Sequence, residues 1–167
     1  MVSRQGIILL GGNCPIHGFN LSRIGYGVPM SDTNFSCACG SGRTYVECCE
    51  PFHLRKAIPS TAAALMRSRY CGYVYEKIDY LVETTLPAAR TTDLWVNYKS
   101  TADSIQWIGL ELMAASQGGP NDKTGKVEFK ASYIQEGERA THHELSRFRR
   151  SGGKWYYVDG SIPEALG

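Results

Sequence analysis

The sequence predicts an α+β domain preceded by a small metal-binding module, on three observations. Four of the six cysteines fall between Cys37 and Cys49. Apolar residues recur at helical spacing from Ala62 to Tyr98 and then switch to alternation from Ser104 onward. Helices first and an antiparallel meander afterwards is the order of an α+β fold.

A chain of 167 residues suits one domain, or one domain with a small module. Eighteen basic residues against sixteen acidic ones leave a net charge of +2, which calls for neither nucleic acid nor a membrane surface. No apolar run approaches the roughly 20 residues of a membrane helix. The run Ile7-Ile8-Leu9-Leu10 is shorter than a signal-peptide core of about 7–15 residues. The expected compartment is the cytosol, where crowded cysteines bind metal or do redox chemistry more often than they form disulfides.

Residues 1–31 read as a poorly organised N-terminal segment, because Gly6, Gly11, Gly12, Gly18, Gly25 and Gly27 interrupt every candidate element. Residues 32–58 form the cysteine module and 59–162 the main domain. Pro59 closes the module, and Ser60 or Thr61 caps a helix running from Ala62 to Tyr75. Met66, Tyr70, Tyr73 and Val74 mark its buried stripe, with Cys71 packing as a small apolar residue. A short helix over 76–84 buries Ile78, Leu81 and Val82, and Pro87 ends it. Another starts after Thr91-Thr92-Asp93 and carries Leu94, Trp95 and Tyr98.

Four strands follow. "SIQWIGLELMAAS" puts Ile108, Leu110 and Leu112 in one phase, and "GKVEFKASYIQEG" does the same for Val127, Phe129, Ala131 and Tyr133. "ATHHELSRFRR" and "KWYYVDGSI" complete the set, with Trp107, Trp155, Tyr156 and Tyr157 packing in sheet faces. Residues 117–122 read as a loop; Glu136-Gly137-Glu138 and Ser151-Gly152-Gly153 read as hairpin turns.

The stretch "CACGSGRTYVECC" has the spacing of a closed zinc site. Cys37 and Cys39 chelate from a tight knuckle whose Gly40 and Gly42 take positive φ. The chain then loops back to offer Cys48 and Cys49, and four sulfurs leave no position for catalytic water. Arg43 is the nearest cation to the resulting negative charge. His53 in place of Cys49 is an alternative fourth ligand. Cys14 and His17 form a weaker C-x-x-H pair.

The motif C-x-C-G-S-G-x5-C-C resembles the SEC-C zinc knuckle. The downstream stretches "ALMRSRYCGYVYEKIDYL", "KVEFKASY", "HHELSRFRR" and "WYYVDG" resemble the YchJ-like family of bacterial SEC-C proteins over about residues 32–160. That resemblance implies a nuclear-transport-factor-2-like (cystatin-like) cone of helices on a curved antiparallel sheet. It implies structural Zn²⁺ on Cys37, Cys39, Cys48 and Cys49, and docking to a chaperone or the ribosome. Leu145 departs from the family's pattern, which expects a basic residue there.

Cones of this kind often hold a pocket, here lined by Tyr70, Tyr73, His142, Glu144 and Ser146. Phe148 draws His142, Glu144 and Ser146 inward on its phase, while Arg147 and Arg149 draw the other phase to solvent. His142 beside Glu144 reads either as a satisfied polar pair or as an acid–base pair of a small-ligand binder or enzyme. The module presents Arg43, Tyr45, Phe52, Arg55 and Lys56 to a partner. Arg147, Arg149, Arg150 and Lys154 form a basic stretch whose ordinary role is solvation and whose alternative is an acidic partner such as ribosomal RNA. The leading expectation is a zinc-binding interaction protein that is not an enzyme; a purely structural zinc staple is the third class.

Overall fold

The computed structural model describes residues 36–163. Residues 1–31, with Cys14 and His17, lie outside the described residues. Two single-turn helices, α1 (Tyr45–Cys48) and α2 (Glu50–His53), carry the second half of the cysteine motif. Helices α3 (Ala62–Val74), α4 (Ile78–Glu83) and α5 (Leu94–Ser104) follow, with a 3₁₀ turn at Pro87–Ala89. Strands β1 (Gln106–Gln117), β2 (Thr124–Gln135), β3 (Glu138–Ser151) and β4 (Lys154–Ser161) form one antiparallel sheet in sequence order. This is the helices-then-meander order that the period change predicts.

Thr61 caps α3, its hydroxyl accepting from the Ala64 N–H at 3.1 Å. The helix is buried far beyond the predicted stripe: Leu65, Ser68, Arg69 and Cys71 are buried along with Met66 and Tyr70. The reason is that α3 has two partners. One side packs on β1, β2 and β4, and the other carries the cysteine module. An amphipathic reading assumes one wet face, and this helix has little.

Strand β1 departs from simple alternation. Register shifts between Trp107 and Gly109 and between Leu112 and Ala114 re-phase it. Trp107 therefore joins Leu110 and Leu112 against the core, and Ile108, predicted to share their face, is 38% exposed. Strand β2 keeps its period, burying Val127, Phe129 and Ala131. Strand β3 buries Ser146 and Phe148 and exposes Arg147 and Arg149, as the phase argument requires.

The outer edge of β4 is covered by the chain leaving α4. Leu86 donates to the Tyr157 carbonyl at 2.7 Å, and Tyr157 donates to the Thr84 carbonyl at 2.8 Å. Trp155 Nε1 donates to the Ser60 carbonyl at 3.2 Å and pins the sheet to the start of α3. Arg69 fastens α3 to α4. Its guanidinium donates to the Leu81 carbonyl at 2.7 Å and the Thr84 hydroxyl at 2.8 Å, and lies 4.6 Å from the Tyr157 ring centre.

Candidate metal centre

The knuckle is built by backbone hydrogen bonds before any metal is considered. Cys37 N–H donates to the Arg43 carbonyl at 2.7 Å, and Gly40 N–H to the Cys37 carbonyl at 3.1 Å. Gly40 and Gly42 have φ of +70° and +77°, the left-handed region the turn demands. Thr44 then caps α1, and the second cysteine pair sits at its end.

The four sulfurs of Cys37, Cys39, Cys48 and Cys49 all lie within 4.8 Å of one another, and all four residues are buried. Cys39 Sγ is 3.6 Å from Cys48 Sγ, and Cys48 Sγ is 3.8 Å from Cys49 Sγ. A tetrahedral ion with metal–sulfur bonds of about 2.3 Å has edges of about 3.8 Å. The donor set therefore fits a four-thiolate metal ion in spacing, number and softness.

The electrostatics of the set point the same way. The Cys39 thiol is pulled far down, first by its hydrogen bond with Cys49 and then by Cys71. Cys49 is pushed up as the other half of the same bond, and burial pushes Cys37 up. Without metal the set is one thiolate held among thiols, and a cation at its centre would displace their protons. Cys48 has donors from outside the set: Ser41 Oγ at 3.1 Å and Arg43 Nη2 at 3.5 Å.

His53 is occupied elsewhere. Its Nε2 faces the Ser68 carbonyl at 2.9 Å, so Nε2 carries the proton and Nδ1 accepts from the Tyr45 hydroxyl at 2.7 Å. Burial lowers its pKa, which keeps the ring neutral. Both nitrogens are used to fasten the module to α3. Arg67 adds a second fastening by donating to the Cys39 carbonyl at 2.5 Å.

The partner-binding candidates divide by exposure. Arg43 and Lys56 are exposed. Arg55 is exposed but held by Glu83 through both carboxylate oxygens. Tyr45 is half-buried, committed to His53 and stacked on Tyr75 at 4.3 Å. Phe52 packs against the core. Val46 and Leu54, unremarked in the sequence, are exposed at 39% and 51% on α1 and at the end of α2.

Inside the cone, His142 Nε2 lies 2.8 Å from Glu144 Oε2. Ser146 donates to Glu144 Oε1 at 2.6 Å, and Tyr157 donates to the same oxygen at 3.3 Å. Burial raises the Glu144 pKa, but the bonds from His142, Ser146 and Tyr157 outweigh it and hold the carboxyl below its usual range. Tyr70 is buried edge-on to Trp107, and Tyr73 stands 5.9 Å from the same ring. The sequence brings these five residues to one interior, but Glu144 is already saturated by protein donors. Trp107 Nε1 is the one buried side-chain polar atom without a partner among the described residues. Two open surface hollows, of about 400 and 200 Å³, lie beside Trp95 on α5 and beside Ile108 on β1; neither is lined by His142 or Glu144.

No helix among the described residues is long and apolar enough to cross a membrane. Residues 61–160 match the family model of the YchJ middle nuclear-transport-factor-2-like domain. A UPF0225 protein of Geobacter sulfurreducens is 44% identical over 124 residues, covering 74% of this chain and 77% of the relative. One from Actinobacillus succinogenes is 40% identical over 126 residues, covering 75% and 81%. The solution structure of a SEC-C motif containing protein from Rhodopseudomonas palustris superposes with a TM-score of 0.71 at 36% identity, over 78% of this chain and all of that one. The crystal structure of a SEC-C motif containing protein from Psychrobacter arcticus gives 0.65 at 27% identity, over 81% and 86%. The four-cysteine knuckle, the helices on a four-stranded sheet and these matches agree: the chain belongs to the YchJ-like family of SEC-C motif proteins.

Proposed function

We propose that the chain is a zinc-binding interaction protein whose metal is structural. It docks a macromolecular partner, a chaperone or the ribosome, through the exposed face of the knuckle. The observation that carries this is the closed set of four buried sulfurs, which fills a tetrahedron and leaves no position for substrate or water. Zinc is the ion that best suits a four-thiolate site in a reducing compartment. Arg43, Val46, Leu54 and Lys56 supply an exposed, mixed apolar and basic surface on the module. Five free buried thiols support a cytoplasmic location.

The test has two arms. Metal analysis of purified protein should find about one zinc per chain. Affinity capture should recover a partner with the wild type and lose it with Arg43→Glu/Lys56→Glu. Metal-free protein with four reactive knuckle thiols refutes the zinc assignment, and identical capture by both proteins refutes the docking face.

A second reading, a small-ligand site in the cone at His142 and Glu144, is favoured by the unpartnered Trp107 Nε1–H. Native mass spectrometry of the purified protein checks it. A retained small molecule that is lost in Trp107→Phe supports the reading, and a bare chain refutes it.

A further inference from the structure

The module holds five sulfurs, not four. Cys71, on α3, is fully buried, and its Sγ lies 3.4 Å from Cys37 Sγ, closer than any two corners of a zinc–thiolate tetrahedron. It also stands within hydrogen-bonding reach of Cys39 and Cys49. A sulfur that touches Cys37, Cys39 and Cys49 stands over the face of the tetrahedron opposite Cys48. These three cysteines are therefore the shared face of two four-sulfur sets, one completed by Cys48 and the other by Cys71.

We propose that Cys71 is a reserve metal ligand that exchanges with Cys48. The proposal rests on the zinc reading above. A fifth donor enters a tetrahedral site through a face, and the ligand opposite that face is the one displaced. Zinc(II) has no d-electron preference that opposes five-coordination on the way. Cys71 gives up its S–H proton as its bond to the metal forms. The Cys48 thiolate departs and takes up a proton, so the charge of the centre is unchanged. Ser41 and Arg43 already donate to Cys48 Sγ and receive it as it leaves. The exchange gives a buried metal a route between α1 and α3 without leaving its protein ligands.

Zinc content, and the charge-transfer absorption of cobalt-substituted protein, are measured for the wild type, Cys48→Ser, Cys71→Ser and the double variant. Each single variant should keep about one metal with four-thiolate absorption, and the double variant should bind it roughly tenfold or more weakly with a three-thiolate spectrum. A Cys48→Ser protein indistinguishable from the double variant overturns the proposal. A wild type without metal overturns the zinc reading instead. A second measurement needs no substitution. Zinc-loaded wild type is alkylated with N-ethylmaleimide and mapped by peptide. Label divided between Cys48 and Cys71 is expected. Label on Cys71 alone among these five cysteines, or on none of them, overturns the exchange.

Discussion

His53 Nε2 donates to the Ser68 carbonyl at 2.9 Å, and this bond ties the cysteine module to the central helix. The imidazole is 4% exposed and neutral, because burial lowers its pKa. A histidine with a depressed folded pKa contributes stability that is complete above its unfolded value of about 6.5 and is lost as pH falls through the folded value. Wild-type stability should therefore decline below about pH 6.5, by up to about 1.4 kcal/mol per pH unit until the folded pKa is reached. His53→Gln can still donate to Ser68 but does not titrate in this range. Denaturant melts of both proteins between pH 5 and 8 should show a flatter profile for the variant; parallel profiles would exclude His53 as the source.

Glu144 depends on the missing side chain of Gly160. A Cβ there would overlap the Glu144 carboxylate, far inside van der Waals contact. Gly160→Ala should destabilise the domain by about 2 kcal/mol or more, through displacement of a buried, hydrogen-bonded carboxylate. Adding Glu144→Ala relieves the clash, so the two changes should be strongly non-additive in a double-mutant cycle. Additive losses would place the strain elsewhere.

Arg69 is a buried cation whose direct hydrogen-bond partners are carbonyl, hydroxyl and phenol oxygens. Its neighbours Tyr98 and Tyr157 present ring faces at 5.5 and 4.6 Å. Arg69→Lys keeps the charge but loses the fork that reaches Leu81, Thr84 and Tyr98 together. A loss of about 1–3 kcal/mol is expected in thermal or urea unfolding. An unchanged midpoint would mean that α4 is held by its apolar contacts alone.

What was legible in the sequence, and what was not, divides by the kind of information a residue carries. Cys37, Cys39, Cys48 and Cys49 were readable because their chemistry and spacing have few other uses. His142, Glu144 and Ser146 were placed inward by the single fact that Phe148 shares their phase. Ile108 was misplaced because a bulge in β1 depends on pairing with β2, which no local pattern encodes. Arg69 and Cys71 were missed for a different reason. Their positions follow from α3 lying between a sheet and the module, a tertiary fact that overrides the usual exposure of arginine and the usual inertness of a helical cysteine. His53 could have been separated from the ligands only by its two partners, Tyr45 and Ser68, the second of them fifteen residues away.

Cys39 belongs to both four-sulfur sets, and no other thiol among the described residues stands ready to replace it. Cys39→Ser should therefore abolish metal binding, in contrast to the retention expected of Cys48→Ser. The effect should not stop at the metal. Cys39 is fully buried, and the four knuckle cysteines share one core with Leu65, Met66, Tyr70 and Phe129. Ligand-linked stability is lost by the whole cooperative unit, so chelator treatment of the wild type and the Cys39→Ser change should each lower the thermal midpoint of the entire domain. Circular dichroism of the sheet and helices, followed with and without chelator, reads this directly. A single transition shifted downward is expected. A sheet that melts at its original temperature after the metal is gone would show that the knuckle folds independently of the cone.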